Sequence, residues 1–228
     1  MLRVTSLVLG LVLAGSLGAA AQGICPSGDT RDGVWLGFPD RTVQTRVLSD
    51  GTMEEIEFSD ERAAVYVFRT LPVGLITERW GMRNGFLAPD ESESVSYVGT
   101  PATIPLPVPG ARYDGVETAR ILDGSEFRHS VSLVVGMPRP VAIGACAYTG
   151  LPIDVTRVPL DGGPRKHDSM MHLMELGMTI YLGYSEGDEP VLDEMPLWIS
   201  SEPRLPGAGA APAMMPPPPP PGAAAPTK

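Results

Sequence analysis

This sequence contains little of the chemistry on which enzymes depend. Among its 228 residues there are three histidines and two cysteines. It has no phosphate-binding loop of the Gly-x-x-x-x-Gly-Lys type and no His-Glu-x-x-His zinc motif. We therefore expect a protein that works by binding, without catalysis. A hydrolase that uses two carboxylates is the enzyme class that stays open, because acidic residues are plentiful.

Basic residues are also scarce. Seventeen lysines and arginines stand against 27 acidic residues, which gives a formal net charge of −10 and an isoelectric point near 4.7. Nucleic acids and anionic membrane surfaces attract basic patches, so the charge argues against both as partners. Beyond residues 1–21, no apolar run approaches the ~20 residues that a membrane-spanning helix needs. We expect no membrane span once the N-terminal segment is removed.

The N-terminal residues 1–21 are typical of a secretory signal peptide. Arg3 supplies a positive charge, residues 7–17 form a short apolar stretch, and residues 19–21 are the three alanines of a cleavage site. The apolar stretch is too short to span a bilayer. The sequence therefore predicts export, with Gln22 as the first residue of the mature chain and the periplasm or the extracellular space as its location.

The two cysteines, Cys25 and Cys146, lie far apart in the sequence. A lone cysteine in a strand is usually a buried free thiol, but two in an exported chain favour a bond between them. A two-cysteine metal site is disfavoured because no histidine or further cysteine lies near either residue. We expect a Cys25–Cys146 disulfide.

The clearest local signal is Asp50-Gly51, which stands between two runs of alternating polarity. Asp-Gly favours a two-residue type I′ turn, in which both central residues adopt positive φ. Similar alternation recurs along the chain without a convincing helical period, which predicts an all-β fold. A two-residue loop places three pairs on one mostly apolar face: Val43 with Phe58, Thr45 with Ile56, and Val47 with Glu54.

Composition divides the chain into modules. We expect an antiparallel β-meander over residues 22–100, a Pro-rich linker over 101–112, and a second antiparallel meander over 113–206. The two modules form separate units, one continuous curved sheet or a half-barrel. The acidic residues 81–97 are expected to be irregular. Residues 207–228 include six consecutive prolines and predict a disordered, Pro/Ala-rich tail, either inert or a polyproline II spacer or ligand.

One stretch combines methionine and histidine at strand spacing. In a strand, Met170, His172 and Met174 would point to the same side, and thioether with imidazole suits Cu(I). The competing interpretation is that these methionines fill an irregular core. Because the sequence has eleven methionines in all, we favour the core interpretation and expect no metal or cofactor.

The expected half-barrel is similar in kind to the envelope proteins of the LolA and LolB type, which carry lipids or lipoproteins. The likeness is one of architecture, since no motif is shared and no residue role carries over. We expect first a non-enzymatic envelope protein that acts as a protein-interaction or structural module with an unknown protein partner. A carrier or binder of a hydrophobic ligand is the alternative, and a Met/His copper-binding protein comes third. An open cleft would favour ligand binding, and a filled core would favour interaction.

Overall fold

A computed structural model describes residues 25–28, 30–59 and 64–204; the predicted signal peptide and tail lie outside these ranges. No helix in the described ranges is long and apolar enough to cross a membrane. The strands are β1 (Val34–Gly37), β2 (Thr42–Val47), β3 (Met53–Phe58), β4 (Ala64–Thr70), β5 (Ile76–Arg83), β6 (Phe86–Thr100), β7 (Arg112–Ile121), β8 (Glu126–Val135), β9 (Arg139–Ile143), β10 (Cys146–Pro159), β11 (Lys166–Leu173), β12 (Met178–Glu186) and β13 (Trp198–Ser200).

These strands form one antiparallel sheet. They are hydrogen-bonded in the order β13-β1-β2-β3-β4-β5-β6-β7-β8-β10-β11-β12, and β9 pairs with the first part of β10. β6 pairs with β7 across the Pro-rich segment, so the strands on both sides of it belong to a single sheet. The predicted all-β fold is confirmed in its form of one continuous curved sheet. The division into modules stays a prediction.

An apolar seam joins the two ends of the sheet, which are not hydrogen-bonded to each other as strands. Leu36 of β1 and Val43 of β2 share a buried cluster with Ile180 and Leu182 of β12. Alternate residues of a strand point to opposite faces, so the neighbouring Tyr181 faces away from this cluster. β1 and β2 therefore lie over the outer face of β12. The sheet is rolled upon itself without closing into a barrel.

Polar contacts between distant segments hold the same seam. The Thr179 amide donates to Met53 Sδ at 3.2 Å, and the Thr179 hydroxyl donates to the Pro72 carbonyl at 2.6 Å. Arg41 Nη1 lies 3.0 Å from Glu194 Oε2, which ties β2 to the connection between β12 and β13. The seam is thus closed by side chains instead of by a strand ladder.

The connection between β4 and β5 closes one end of the roll. Val73 and Leu75 are fully buried there and pack in a second apolar cluster with Ile153 and Met170. Gly74 has φ of +82°, and a Cβ at this position would lie 2.3 Å from Met170 Sδ. Only glycine fits both the conformation and the space, so this turn can insert as a plug.

The turn between β2 and β3 contains three residues, and the predicted two-residue type I′ turn is wrong. The Leu48 amide donates to the Thr52 carbonyl at 2.8 Å, which encloses Ser49, Asp50 and Gly51. Among these three, Gly51 alone has positive φ, at 83°. A type I turn followed by a left-handed glycine is the usual three-residue hairpin loop. Asp-Gly marked the turn correctly but not its length.

The additional loop residue exchanges the two faces of β3. Thr45 pairs with Glu55, where the sequence predicted Ile56. A one-residue slip turns every side chain of a strand to the opposite face, so Glu57 likewise replaces Phe58. The predicted apolar inner face is therefore corrected: two carboxylates of β3 point into the roll.

Residues 81–97 are not irregular, because they continue β5 and form most of β6. Asn84 has φ of 54° and Gly85 has φ of 78°, and Arg83 pairs with Phe86 across them. Two central residues with positive φ are the mark of a type I′ hairpin turn. Residues 81–97 were expected to be irregular because of the acidic residues after this turn, whereas the Asn84-Gly85 pair is itself a hairpin signal.

The predicted disulfide is confirmed. Cys25 and Cys146 are bonded, with their Cα atoms 5.6 Å apart. Cys146 belongs to the buried seam cluster, so the bond ties the segment before β1 to the layer that β1 covers. It closes a loop of 121 residues in sequence separation.

Reduction of this disulfide should lower the free energy of unfolding by about 4–5 kcal/mol, because the bond restricts the unfolded chain over a long loop. The measurement is urea denaturation with and without reductant. Cys25→Ser/Cys146→Ser should match the reduced protein and should not respond to reductant. An unchanged midpoint on reduction would contradict the loop-closure argument.

Candidate functional site

The interior of the roll contains a cleft of about 1080 Å³, lined by inward side chains of β1–β8 and β10–β12. Such a volume lies at the upper end of the ~300–1,000 Å³ typical of ligand pockets. Part of the lining is apolar, with Phe68, Ile76, Val95, Ala119, Ile121 and Phe127. The charged lining residues are Asp40, Arg41, Glu55, Glu57, Arg79, Glu93, Glu117, Arg157, Lys166, Asp168, Asp193 and Glu194.

The cleft is blocked at one end and open at the other. Val73 and Leu75 of the plug fill the blocked end. At the opposite end the lining residues Phe127 and Leu192 are 49% and 80% exposed. A ligand would therefore enter beside Phe127 and Leu192 and reach inward toward the plug.

Arg157 is the centre of a buried ion network in the cleft wall. Its Nε donates to Glu117 Oε2 at 2.8 Å, and its Nη1 pairs with Asp168 Oδ2. The Tyr181 hydroxyl donates to the second oxygen of Asp168 at 3.1 Å. His129 Nδ1 lies 3.1 Å from Glu117 Oε1, and burial lowers the pKa of His129, which keeps its ring neutral at pH 7. Five strands contribute to this network, so it links neighbouring strands of the wall through their side chains.

A second ion pair lies further around the same wall. Arg79 Nε of β5 is 3.3 Å from Glu93 Oε1 of β6, directly across the ladder. The next inward residue in this row is Phe68, which pairs with Arg79 on one side and with Glu55 on the other. One transverse row of the cleft therefore runs from Glu55 through Phe68 to the Arg79–Glu93 pair.

Glu55 and Glu57 are the carboxylates that the β2–β3 register turns inward. Burial raises the pKa of Glu55 to about 7, and repulsion from Glu57 adds to the shift. Burial also raises the pKa of Glu57, which Arg41 opposes. Neither carboxylate takes part in an ion pair with another residue of the described chain. A carboxyl that titrates near neutral pH in a cleft marks a candidate functional site.

The structure does not place the predicted Met/His set on one strand face. Met170 and His172 are buried in β11, whereas Met174 lies in the turn after β11 and is 48% exposed. Met170 fills space beside Gly74 in the plug. The favoured core interpretation fits Met170, while the copper role stays an untested prediction.

His172 takes part in a buried hydrogen-bond chain. Its Nδ1 lies 3.0 Å from Thr179 Oγ1, and that hydroxyl gives its single proton to the Pro72 carbonyl. The ring must therefore donate through Nδ1, and burial lowers its pKa so that it stays neutral. In the residues that the structure describes, no group of three or more His, Cys, Asp or Glu side chains could hold a metal ion.

A Gly-x-Ser-x-Gly match at residues 183–187 escaped the sequence analysis. Ser185 is buried, its hydroxyl has no hydrogen-bond partner, and it pairs across the ladder with His167. A nucleophile elbow places its serine on a sharp turn between a strand and a helix. Ser185 lies inside the extended strand β12, and no helix follows within the described chain. The match is therefore not a nucleophile elbow.

The charged residues of the cleft were also missed by sequence reasoning, although weak signals exist for two of them. Glu117 and Arg157 each interrupt a strand whose other inward positions are apolar or aromatic. A charge at an inward position of a strand requires a partner, and each could have been proposed as the other's. For Glu55 and Glu57 the signal was absent, because the assumed register turned both outward.

Comparisons with protein-family models, with curated proteins and with solved structures find no match to this chain. The function is therefore argued from the cleft and its side chains.

Arg157→Met should lower the free energy of unfolding by about 3–5 kcal/mol at neutral pH, because it leaves Glu117 and Asp168 buried without a counter-charge. Arg120→Met is the matched control, since the Arg120–Glu126 pair is largely exposed and should contribute less than ~1 kcal/mol. Urea denaturation gives both values. Equal effects of the two substitutions would show that the network does not stabilise the wall.

Glu55 should make the protein less stable as pH rises. Folded Glu55 keeps its proton up to about pH 7, whereas the unfolded residue releases it near 4.5, so between these values the unfolded state binds fewer protons. The contribution is a loss of up to ~1.4 kcal/mol per pH unit in this window. Subtracting the pH profile of Glu55→Gln from that of the unchanged protein isolates it. Glu126→Gln, at an exposed position, should leave the profile unchanged.

Proposed function

We propose that this protein binds a small amphipathic molecule in its cleft and acts as a carrier or binding protein, without catalysis. The observation that carries the proposal is the cleft of about 1080 Å³, blocked by the plug at one end and open at the other. A packed interior would have favoured the interaction module expected first from the sequence. The open interior favours the alternative, a ligand binder.

The side chains that line the cleft suit a different ligand from the hydrophobic one expected from the sequence. Apolar side chains such as Val95, Ala119 and Ile121 run along one part of the wall. Charged pairs such as Arg79–Glu93 and Arg157–Glu117 occupy the rest. A purely hydrophobic molecule would leave these polar groups desolvated without new partners, which is unfavourable. The ligand class that fits has an apolar body and a polar group.

We place this activity in the periplasm or the extracellular space. The Cys25–Cys146 disulfide supports an oxidising compartment, and the N-terminal sequence supports export. A carrier in such a compartment would move a poorly soluble molecule through an aqueous space.

A protein-interaction role is the second candidate, and one feature favours it. The tip of the β5–β6 hairpin exposes Phe86 to 77% and also exposes Leu87. Large apolar side chains at an exposed hairpin tip are typical of contact sites. This surface would serve a partner that loads or unloads the cleft.

The cleft should bind N-phenyl-1-naphthylamine, a neutral dye whose fluorescence rises in apolar surroundings. Ala119→Trp fills the cleft from the second half of β7 and should weaken dye binding by at least ~10-fold, because it removes the space that the dye would occupy. Ala142→Trp is the control, since Ala142 lies on β9 and is exposed outside the cleft.

Circular dichroism should show that each variant keeps the fold, and Ile121→Trp replaces Ala119→Trp if the latter unfolds. Dye binding that is unaffected by either cleft substitution, or equally affected by Ala142→Trp, would contradict the proposal.

A further inference from the structure

We propose that the polar group of the ligand is a cation, held between Glu55 and Glu57, so that the cleft takes an organic ammonium compound with an apolar tail. This inference rests on the proposed ligand binding and names its substrate class.

The first argument is the distribution of charge in the cleft. Its lining contains eight acidic and four basic residues, a net charge of −4 with His129 neutral. Arg157 pairs with Glu117 and Asp168, Arg79 with Glu93, and Arg41 with Asp40 and Glu194. Three acidic residues of the lining remain without an ion pair among the described residues: Glu55, Glu57 and Asp193. Asp193 is exposed at the mouth, which leaves Glu55 and Glu57 as the inner pair that lacks a cation.

A second observation lies beside the same carboxylates. Thr45 is fully buried directly opposite Glu55 on the neighbouring strand, and the two side chains share the inner face of the roll. The Thr45 hydroxyl has no partner at good hydrogen-bond geometry, although it lies close enough to the Glu55 carboxyl to oppose the rise of its pKa. Buried hydroxyls almost always have a partner. The Thr45 oxygen accepts from no donor in the described residues, and it lies beside two carboxyl groups that have no ion-pair partner there. The N–H group of a ligand ammonium would supply that donor.

The neighbouring wall suits the rest of such a ligand. Phe68 pairs with Glu55 across the ladder and lines the cleft, so its ring lies beside any cation held there. Aromatic rings attract ammonium groups through their negative faces. Beyond Phe68 the lining continues with Ile76, Val95 and Ala119, which would receive an apolar tail.

The raised pKa of Glu55 agrees with a cation-binding site beside this carboxyl. Burial and the charge of Glu57 raise the pKa of Glu55, and the opposing effects of Arg41 and Thr45 are smaller. A bound cation would favour the ionised form, and linkage then requires cation binding to strengthen as pH rises through about 7. The charged and titratable groups that face Glu55 from the surrounding elements are Asp40 and Arg41 before β2, Glu57 on β3, Arg79 on β5, Glu93 on β6, Tyr181 on β12, and Glu194 before β13.

The alternative ligand is an anionic amphiphile whose charged group would pair with Lys166. Lys166 lines the cleft at the first residue of β11 and makes no ion pair within the described part of the chain. The lining as a whole has a net charge of −4 with Lys166 included, and this negative charge favours a cationic ligand. The two alternatives predict opposite responses to a change of ligand charge.

The test is calorimetric titration of the purified protein with decylammonium, whose head group carries N–H donors, and with decanoate, which have chains of equal length, each below its micelle-forming concentration. We expect the ammonium compound to bind at least ~10-fold more tightly than decanoate, and Glu55→Gln and Glu57→Gln each to weaken its binding by about tenfold. Lys166→Gln is the matched control and should not weaken it. Binding of the ammonium compound should strengthen from about pH 6 to about pH 8, and Glu55→Gln should reduce that dependence.

Tighter binding of decanoate that Lys166→Gln weakens would overturn the inference in favour of the anion. Equal binding of both compounds, sensitive to Ala119→Trp but not to Glu55→Gln, would also overturn it while leaving ligand binding in the cleft intact. Absence of binding by either compound, together with absence of dye binding, would overturn both the inference and the proposed function. Circular dichroism of each variant separates a loss of binding from a loss of fold.

Discussion

The apolar seam between β1–β3 and β11–β12 is the constraint on which the rest of the structure depends. A sheet of this length has two edge strands, and an exposed edge is a site of aggregation. Here β1 and β2 cover the outer face of β12. The segment between β12 and β13 lies along the edge of β12, where the Glu194 amide donates to the Leu182 carbonyl at 2.8 Å. Rolling the sheet creates this contact and, at the same time, encloses the cleft. The cavity is thus a consequence of how the edges are protected.

Two of the charged side chains in the interior face inward because of a single loop residue. The three-residue turn at Gly51 decides that Glu55 and Glu57, and not Ile56 and Phe58, face inward. Elsewhere in the cleft wall each arginine lies within 4 Å of one or two carboxylates, so the desolvation of these charges is offset by ion pairs and hydrogen bonds. The two carboxylates of β3 are the exception. Neither has an ion-pair partner among the described residues, and the proposed cation site rests on this difference.

Much of the fold could be predicted from the sequence, because strand alternation, turn residues and the paired cysteines are local or compositional signals. These signals leave loop length and long-range contacts undetermined, for physical reasons. Asp50-Gly51 marks a turn but not whether its loop has two or three residues, since both use a glycine with positive φ. Asn84-Gly85 carried the stronger hairpin signal and was outweighed by the acidic residues of β6. The cleft could not be predicted, because it depends on the curvature of the sheet and on contacts between β1 and β12, which are far apart in the sequence.

The pairing of β1 with β13 has a consequence for the order in which the chain can fold. Trp35 pairs with Ser200, so β1 and β13, the first and last strands of the described residues, lie side by side. During synthesis β1 and β2 emerge well before β12 and β13, and their apolar inner residues have no surface to cover until β12 has been made. Contacts of such long sequence separation form slowly. We therefore expect the contact of β1 and β2 with β12 to form late in folding, and the apolar inner residues of β1 and β2 to stay exposed until then.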